Sequence, residues 1–139
     1  MDSFDLSIKY LNEGIAKYPN YYLTYYNRGV TLLNMKKDKE AFESFKKALE
    51  LNYYHVRSHV QIGHLAYKYG MMAPALMCYQ MALIFEPGSP AAIDGIGNML
   101  KIMKPEEMNP EDKSKFILKV NFVAILFCLI KMMMNLHRI

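Results

Sequence analysis

The chain has 139 residues, of which 53% are hydrophobic and 22% charged, with only 7 Gly and 6 Pro. That composition fits one globular domain large enough to bury a core, and it excludes the disordered, collagen-like and low-complexity classes. The net charge of +4 is unevenly placed: residues 1–112 carry 12 basic and 13 acidic side chains, whereas residues 113–139 carry five basic ones and no acid.

A neutral body argues against nucleic acid as a partner. Cys78 and Cys128 stand fifty residues apart with no CxxC, which points to free thiols in a reducing compartment. The N-terminus, MDSFDLSIKYLNEG, is acidic and amphipathic, so no secretory signal is expected.

In chain order, residues 4–18 (FDLSIKYLNEGIAKY) read as one helix stopped by Pro19. Helical patterns follow at 22–35 and 39–52 around the turn MKKD, and at 56–69 and 73–86 around YGMM. Pro87 ends the last of these. Ser89 and Pro90 then mark the N-cap and first turn of another helix, AAIDGIGNMLKIM. A polar stretch, KPEEMNPEDKSK, contains Asn109 and Pro110, which signal the start of a long helix over 110–136.

These elements repeat with a period of 34. Gly29, Gly63 and Gly97 keep that step, as do Ala41 and Ala75, Phe45 and Tyr79, Ala48 and Ala82, and Pro19, Tyr53 and Pro87. Gly inside a helix costs about 1 kcal/mol relative to Ala, so Gly29 and Gly63 imply close approach of two helices. Phe45 and Tyr79 are expected to fill the gap between helix pairs. Ser7, Leu11 and Gly14 fall 34 before Ala41, Phe45 and Ala48, so the segment 4–18 fits only the second helix of a unit.

With YYNRG, AFESFKKALELN and the 34-residue step, the chain resembles the tetratricopeptide repeat family over about residues 4–100. The resemblance implies an all-α solenoid of helix-turn-helix units; the chain departs from it in ending on one long helix, which is expected to cap the array. The organisation it suggests is a half unit at 4–21, full units at 22–55 and 56–89, and a half unit at 90–104. Residues 105–139 are expected to form a linker and an apolar C-terminal helix. It also implies a concave face lined by the first helix of each unit. Carried over by position, that face comprises Leu23, Tyr26, Asn27 and Val30, then Arg57, Gln61, His64 and Lys68, then Asp94, Asn98 and Lys101.

Some members of the family clamp the C-terminal carboxylate of heat-shock chaperones with Lys, Asn, Asn, Lys and Arg. Asn27 and Arg57 match the third and fourth of these, but Gln61 stands where the Arg belongs, and the helix bearing the first two has no counterpart. A neutral group does not replace a bidentate cation, so no chaperone-type clamp is expected.

No phosphate loop, HExxH or nucleophile elbow is present. His55 and His59 share a helical spacing but lack a third ligand, and His59 occupies the packing position of Tyr25. No catalysis, cofactor or metal is expected. Cys78 and the clustered methionines, Met71 and Met72 among them, read as core fillers.

The predicted function is a non-enzymatic, cytoplasmic adaptor that binds a peptide segment of a partner protein. The alternative is a self-assembling scaffold built through exposed half units and the C-terminal helix. That helix carries VNFVAILFCLI, whose eleven residues span about 16 Å against a hydrocarbon core of about 30 Å. Residues 122–130 are apolar on every side, more than one neighbouring helix covers. One side is expected to cap Ile93, Ile96 and Leu100. The other, with Phe122, Leu126, Phe127, Ile130 and Met133, is expected to face a second chain in a homodimer. The runner-up is a membrane anchor over 116–136, with the repeats facing the cytosol.

Overall fold

The computed structural model describes residues 2–104 together with 109–112, 114, 115, 118, 122 and 133. Residues 2–104 form six α-helices and, among the described residues, no strand: α1 Ser3–Lys17, α2 Tyr22–Asn34, α3 Asp38–Leu51, α4 Val56–Lys68, α5 Met72–Phe85 and α6 Pro90–Met103. Each packs on its neighbours in sequence, most tightly within the pairs α2–α3 and α4–α5. The result is the all-α solenoid of helix pairs that the 34-residue period predicts.

Small residues set the spacing within a pair. A Cβ at Gly29 would lie 2.6 Å from the Phe45 ring, and one at Gly63 would lie 2.8 Å from the Tyr79 ring. Both rings therefore fill the gap inside their own pair, and Phe45 also shares a core with Leu65 of the next unit. Tyr79 also reaches onward, because a Cβ at Gly95 on α6 would lie 2.5 Å from its ring. Gly97 keeps the 34-residue register but has nothing described within 4 Å of its Cβ position. The close approach on α6 therefore belongs to Gly95.

Two apolar cores result. Leu32, Ala41, Phe45 and Leu65 form one. Val60, Ala66, Ala75, Leu76, Tyr79, Ala82, Leu83, Ala92 and Met99 form the other. Leu65 lies on α4 yet belongs to the first core, so consecutive units interlock.

Polar contacts repeat with the same step. The Tyr25 hydroxyl donates to the Pro19 carbonyl at 2.8 Å, and His59 Nε2 lies 2.7 Å from the Tyr53 carbonyl. A carbonyl only accepts, so His59 carries its proton on Nε2. The two helix-ending turns also match: Lys37 N–H donates to the Leu32 carbonyl and Met71 N–H to the Ala66 carbonyl, with Lys36 and Gly70 left-handed between.

Three expectations change. Ser89 is the N-cap of α6 and Pro90 follows it, but the Ser89 side chain makes no capping bond and is buried. Met71 is exposed, not a core filler, and Met72 is half-buried. Cys78 is half-buried, and burial raises its thiol pKa.

Asn109 Oδ1 accepts the Asp112 N–H at 2.8 Å, so the expected N-cap and Pro110 first turn are in place. Among the described residues no helix is long and apolar enough to cross a membrane. The expected covering of Ile93, Ile96 and Leu100 by the C-terminal helix lies outside the described residues.

Candidate interaction surface

The residues assigned to the concave face lie on α2, α4 and α6, and α4 packs directly on α6. On α2, Asn27 is exposed, whereas Leu23, Tyr26 and Val30 are half-buried. Val30 packs on the first core. The Tyr26 ring lies 5.7 Å from Phe45 and 4.9 Å from His55, and Tyr22 meets the other side of His55 at 5.0 Å. Tyr26 therefore joins α2 to α3 and to the start of α4.

On α4, Arg57 is exposed and Gln61 half-buried. His64 presents an exposed edge while its Nδ1 shares a 2.7 Å hydrogen bond with the Tyr79 hydroxyl. Burial lowers the His64 pKa and pushes Tyr79 up to about 12, so both are neutral near pH 7. Lys68 is exposed but ion-paired to Asp38 at the start of α3, where the Tyr69 hydroxyl also donates to the same carboxylate oxygen at 2.7 Å. The hydrogen bonds from Lys68 and Tyr69 hold the Asp38 carboxyl below its usual pKa, and the carboxylate in turn raises Lys68 and Tyr69.

On α6, Asp94, Asn98 and Lys101 are exposed. The fold therefore leaves Asn27, Arg57, Asp94, Asn98 and Lys101 exposed. It spends the other six, in whole or in part, on packing, on His64–Tyr79 or on Lys68–Asp38. The surface is of mixed charge, with Arg57 and Lys101 against Asp94.

His55 and His59 do not face a common ligand. His55 Nδ1 lies 2.7 Å from Ser58 Oγ, and His59 is turned to the Tyr53 carbonyl. Burial lowers both pKa values, His55 further through the Arg57 and His59 charges. Of the five C-terminal residues, Phe122 and Met133 are exposed, and Leu126, Phe127 and Ile130 lie outside the described residues.

Sequence reasoning missed a slot between the helices. It is a cavity of 630 Å³ between α3, α4 and α5, lined chiefly by Phe42, Ile62, Leu65, Tyr69, Met71 and Pro74. The available signal was the 34-residue step itself, which sets Phe42, Ile62 and Pro74 at the register of Ile8, Arg28 and Glu40.

Stacked helix pairs with outward polar first helices define a helical-repeat interaction module. The tetratricopeptide repeat family model matches residues 22–52, and α4–α5 repeat the same spacing and contacts. The match and the repeated geometry support a tetratricopeptide repeat protein, a fold that is typically non-catalytic and that suggests a protein–protein interaction module. No curated protein matches it.

Proposed function

We propose that the chain is an adaptor that holds a peptide segment of a partner protein along the first helices α2, α4 and α6. The array is organised as a half unit at 4–21, units at 22–55 and 56–89, and a half unit at 90–104. One observation carries the reading: Asn27, Arg57, Asp94, Asn98 and Lys101 point outward, and their side chains make no hydrogen bond or ion pair with other described residues. Polar groups that the fold does not use remain available for a ligand's backbone and charges. The half-buried aromatic and apolar residues beside them, Leu23, Tyr26 and Val30, supply contact area. The free thiol of Cys78 suits a reducing compartment, and we place the adaptor in the cytoplasm.

Tyr26 is unsuitable as a probe because it packs on Phe45 and His55. The test is Asn27→Ala with Arg57→Glu, both at exposed positions, compared with wild type for the proteins recovered in a pull-down from cell extract. Partners lost from the double variant, at unchanged melting temperature, are the expected result. Identical recovery with intact folding refutes the surface.

A further inference from the structure

α1 carries the second-helix face of a unit, and α6 carries the first-helix face of another. In the two complete units these faces meet at the same register. Gly29 receives the Phe45 ring and Gly63 receives the Tyr79 ring. Leu32 shares a core with Ala41, and Ala66 with Ala75. Arg28 Nε donates to Ser44 at 3.1 Å. One period away, α6 offers Gly97, Leu100 and Ile96, and α1 offers Leu11, Ser7 and Tyr10. Gly against Leu and Leu against Ser reproduce the large-on-small pattern of the complete units, and Ile96 against Tyr10 is an apolar match.

Among the described residues both faces are only partly covered: Ser7, Leu11, Ile96, Gly97 and Leu100 are half-buried and Tyr10 is exposed. Nothing described lies within 4 Å of a Cβ at Gly97. Ile93 is 46% exposed where Tyr25 at the same register is 6% exposed, and Tyr10 is 62% exposed where Ser44 is 1% exposed. Leu6 and Phe4 extend the exposed apolar surface of α1. Ser7 already touches Thr31 on the following helix, as Ala41 shares a core with Leu65. A second-helix stripe serves two first helices, and on α1 only one is present among the described residues.

We propose that a second copy of this chain completes the unit: α1 of one copy packs on α6 of the next, with Leu11 over Gly97 and Tyr10 against Ile96. The contact joins two different surfaces, so each pair of copies keeps one open α1 and one open α6. Assembly is therefore head-to-tail and open-ended, unlike a two-fold dimer, which closes. The inference does not depend on peptide binding by the first helices, which uses other side chains.

The experiment uses the full chain in a sedimentation and light-scattering concentration series, with Gly97→Leu to fill the socket and Tyr10→Lys to charge the opposite face. The expected wild-type mass rises with concentration past that of a dimer. Each variant alone weakens association about tenfold or more. Mixed in equal amounts, the two variants form a species of two chains and nothing larger, because one intact α1 meets one intact α6. Tyr10→Lys sits at an exposed position and keeps the test decisive if Gly97→Leu fails to fold. A wild-type chain that stays monomeric overturns the proposal and points to coverage of α6 by its own chain. A mass that levels at two chains, indifferent to both substitutions, overturns it in favour of a two-fold contact elsewhere.

Discussion

The units α2–α3 and α4–α5 share one backbone and present opposite outer surfaces. Seven of the fourteen residues of α3 are charged, and none of α5 is. The slot between α1, α2 and α3 has a volume of 530 Å³ and is lined by Asn12, Arg28, Glu40 and Glu43 beside Ile8 and Leu32. The slot one period later has 630 Å³, and Phe42, Ile62, Ala66 and Pro74 stand where Ile8, Arg28, Leu32 and Glu40 stood. The small and aromatic residues between the helices hold the geometry. Positions outside that set are free to vary, and there the two units diverge in what they can bind.

The largest expected effects come from the two rings that occupy the glycine sockets. Phe45→Ala and Tyr79→Ala should each cost about 3–5 kcal/mol in urea unfolding. Tyr79 also packs on Gly95 of α6 and bonds His64, whereas Phe45 stays within the first unit and its border. Hydrogen exchange of α6 should therefore accelerate far more in Tyr79→Ala than in Phe45→Ala. Equal acceleration would contradict the bridging role of Tyr79. Next come Ala48→Leu and Ala82→Leu, both fully buried at the same register, at about 1–3 kcal/mol each from overpacking. Either variant melting like wild type would contradict the register.

The repeat itself was legible because it rests on residue size at fixed steps, and Gly, Ala and aromatic positions announce themselves in the sequence. What size did not announce was direction. Gly97 keeps the step, yet Gly95 makes the close contact, because Tyr79 projects past its own pair. Tyr26 and Lys68 match the family's outward positions, but His55 and Asp38, contributed by other helices or loops, engage them. Long-range partners of this kind leave no periodic trace. Met71 reads as a core filler because methionine often fills gaps, whereas it lies exposed at the start of α5.

A smaller effect separates the units by pH. Burial lowers the pKa values of His55, His59 and His64, all in or beside the second unit, below the unfolded value of 6.5. Above that value the histidines are neutral in both states, and the full stability is present. As the pH falls below 6.5, the unfolded chain takes up protons that the folded chain resists, and stability declines until the folded pKa values are passed. Asp38, held low by Lys68 and Tyr69, adds a loss only below its ordinary 3.8. His59→Tyr installs the residue of the first unit, Tyr25, and keeps a donor for the Tyr53 carbonyl. The slope of stability between pH 7 and pH 5 should become shallower, whatever the absolute cost of the larger ring. An unchanged slope would mean that His59 takes no part in the acid response.

The smallest expected effect lies in the turns. Lys36 and Gly70 are one period apart and both left-handed, with φ 58° and 73°. Each closes its helix with the same bonds: Lys36 N–H to the Leu33 carbonyl and Lys37 N–H to Leu32, then Gly70 N–H to Tyr67 and Met71 N–H to Ala66. The backbone demand is thus identical, and only the residue differs. A side chain in this region costs about 1–2 kcal/mol, and Gly recovers part of that while adding freedom to the unfolded chain. Lys36→Gly should therefore stabilise by up to about 1 kcal/mol, and Gly70→Lys should destabilise by about the same. Nothing lies within 4 Å of a Cβ at Gly70, so its cost is conformational, not steric. The double exchange should then unfold at nearly the wild-type urea midpoint. A large loss in Lys36→Gly would show that the Lys36 side chain has a role beyond the turn, and the two turns would no longer be equivalent.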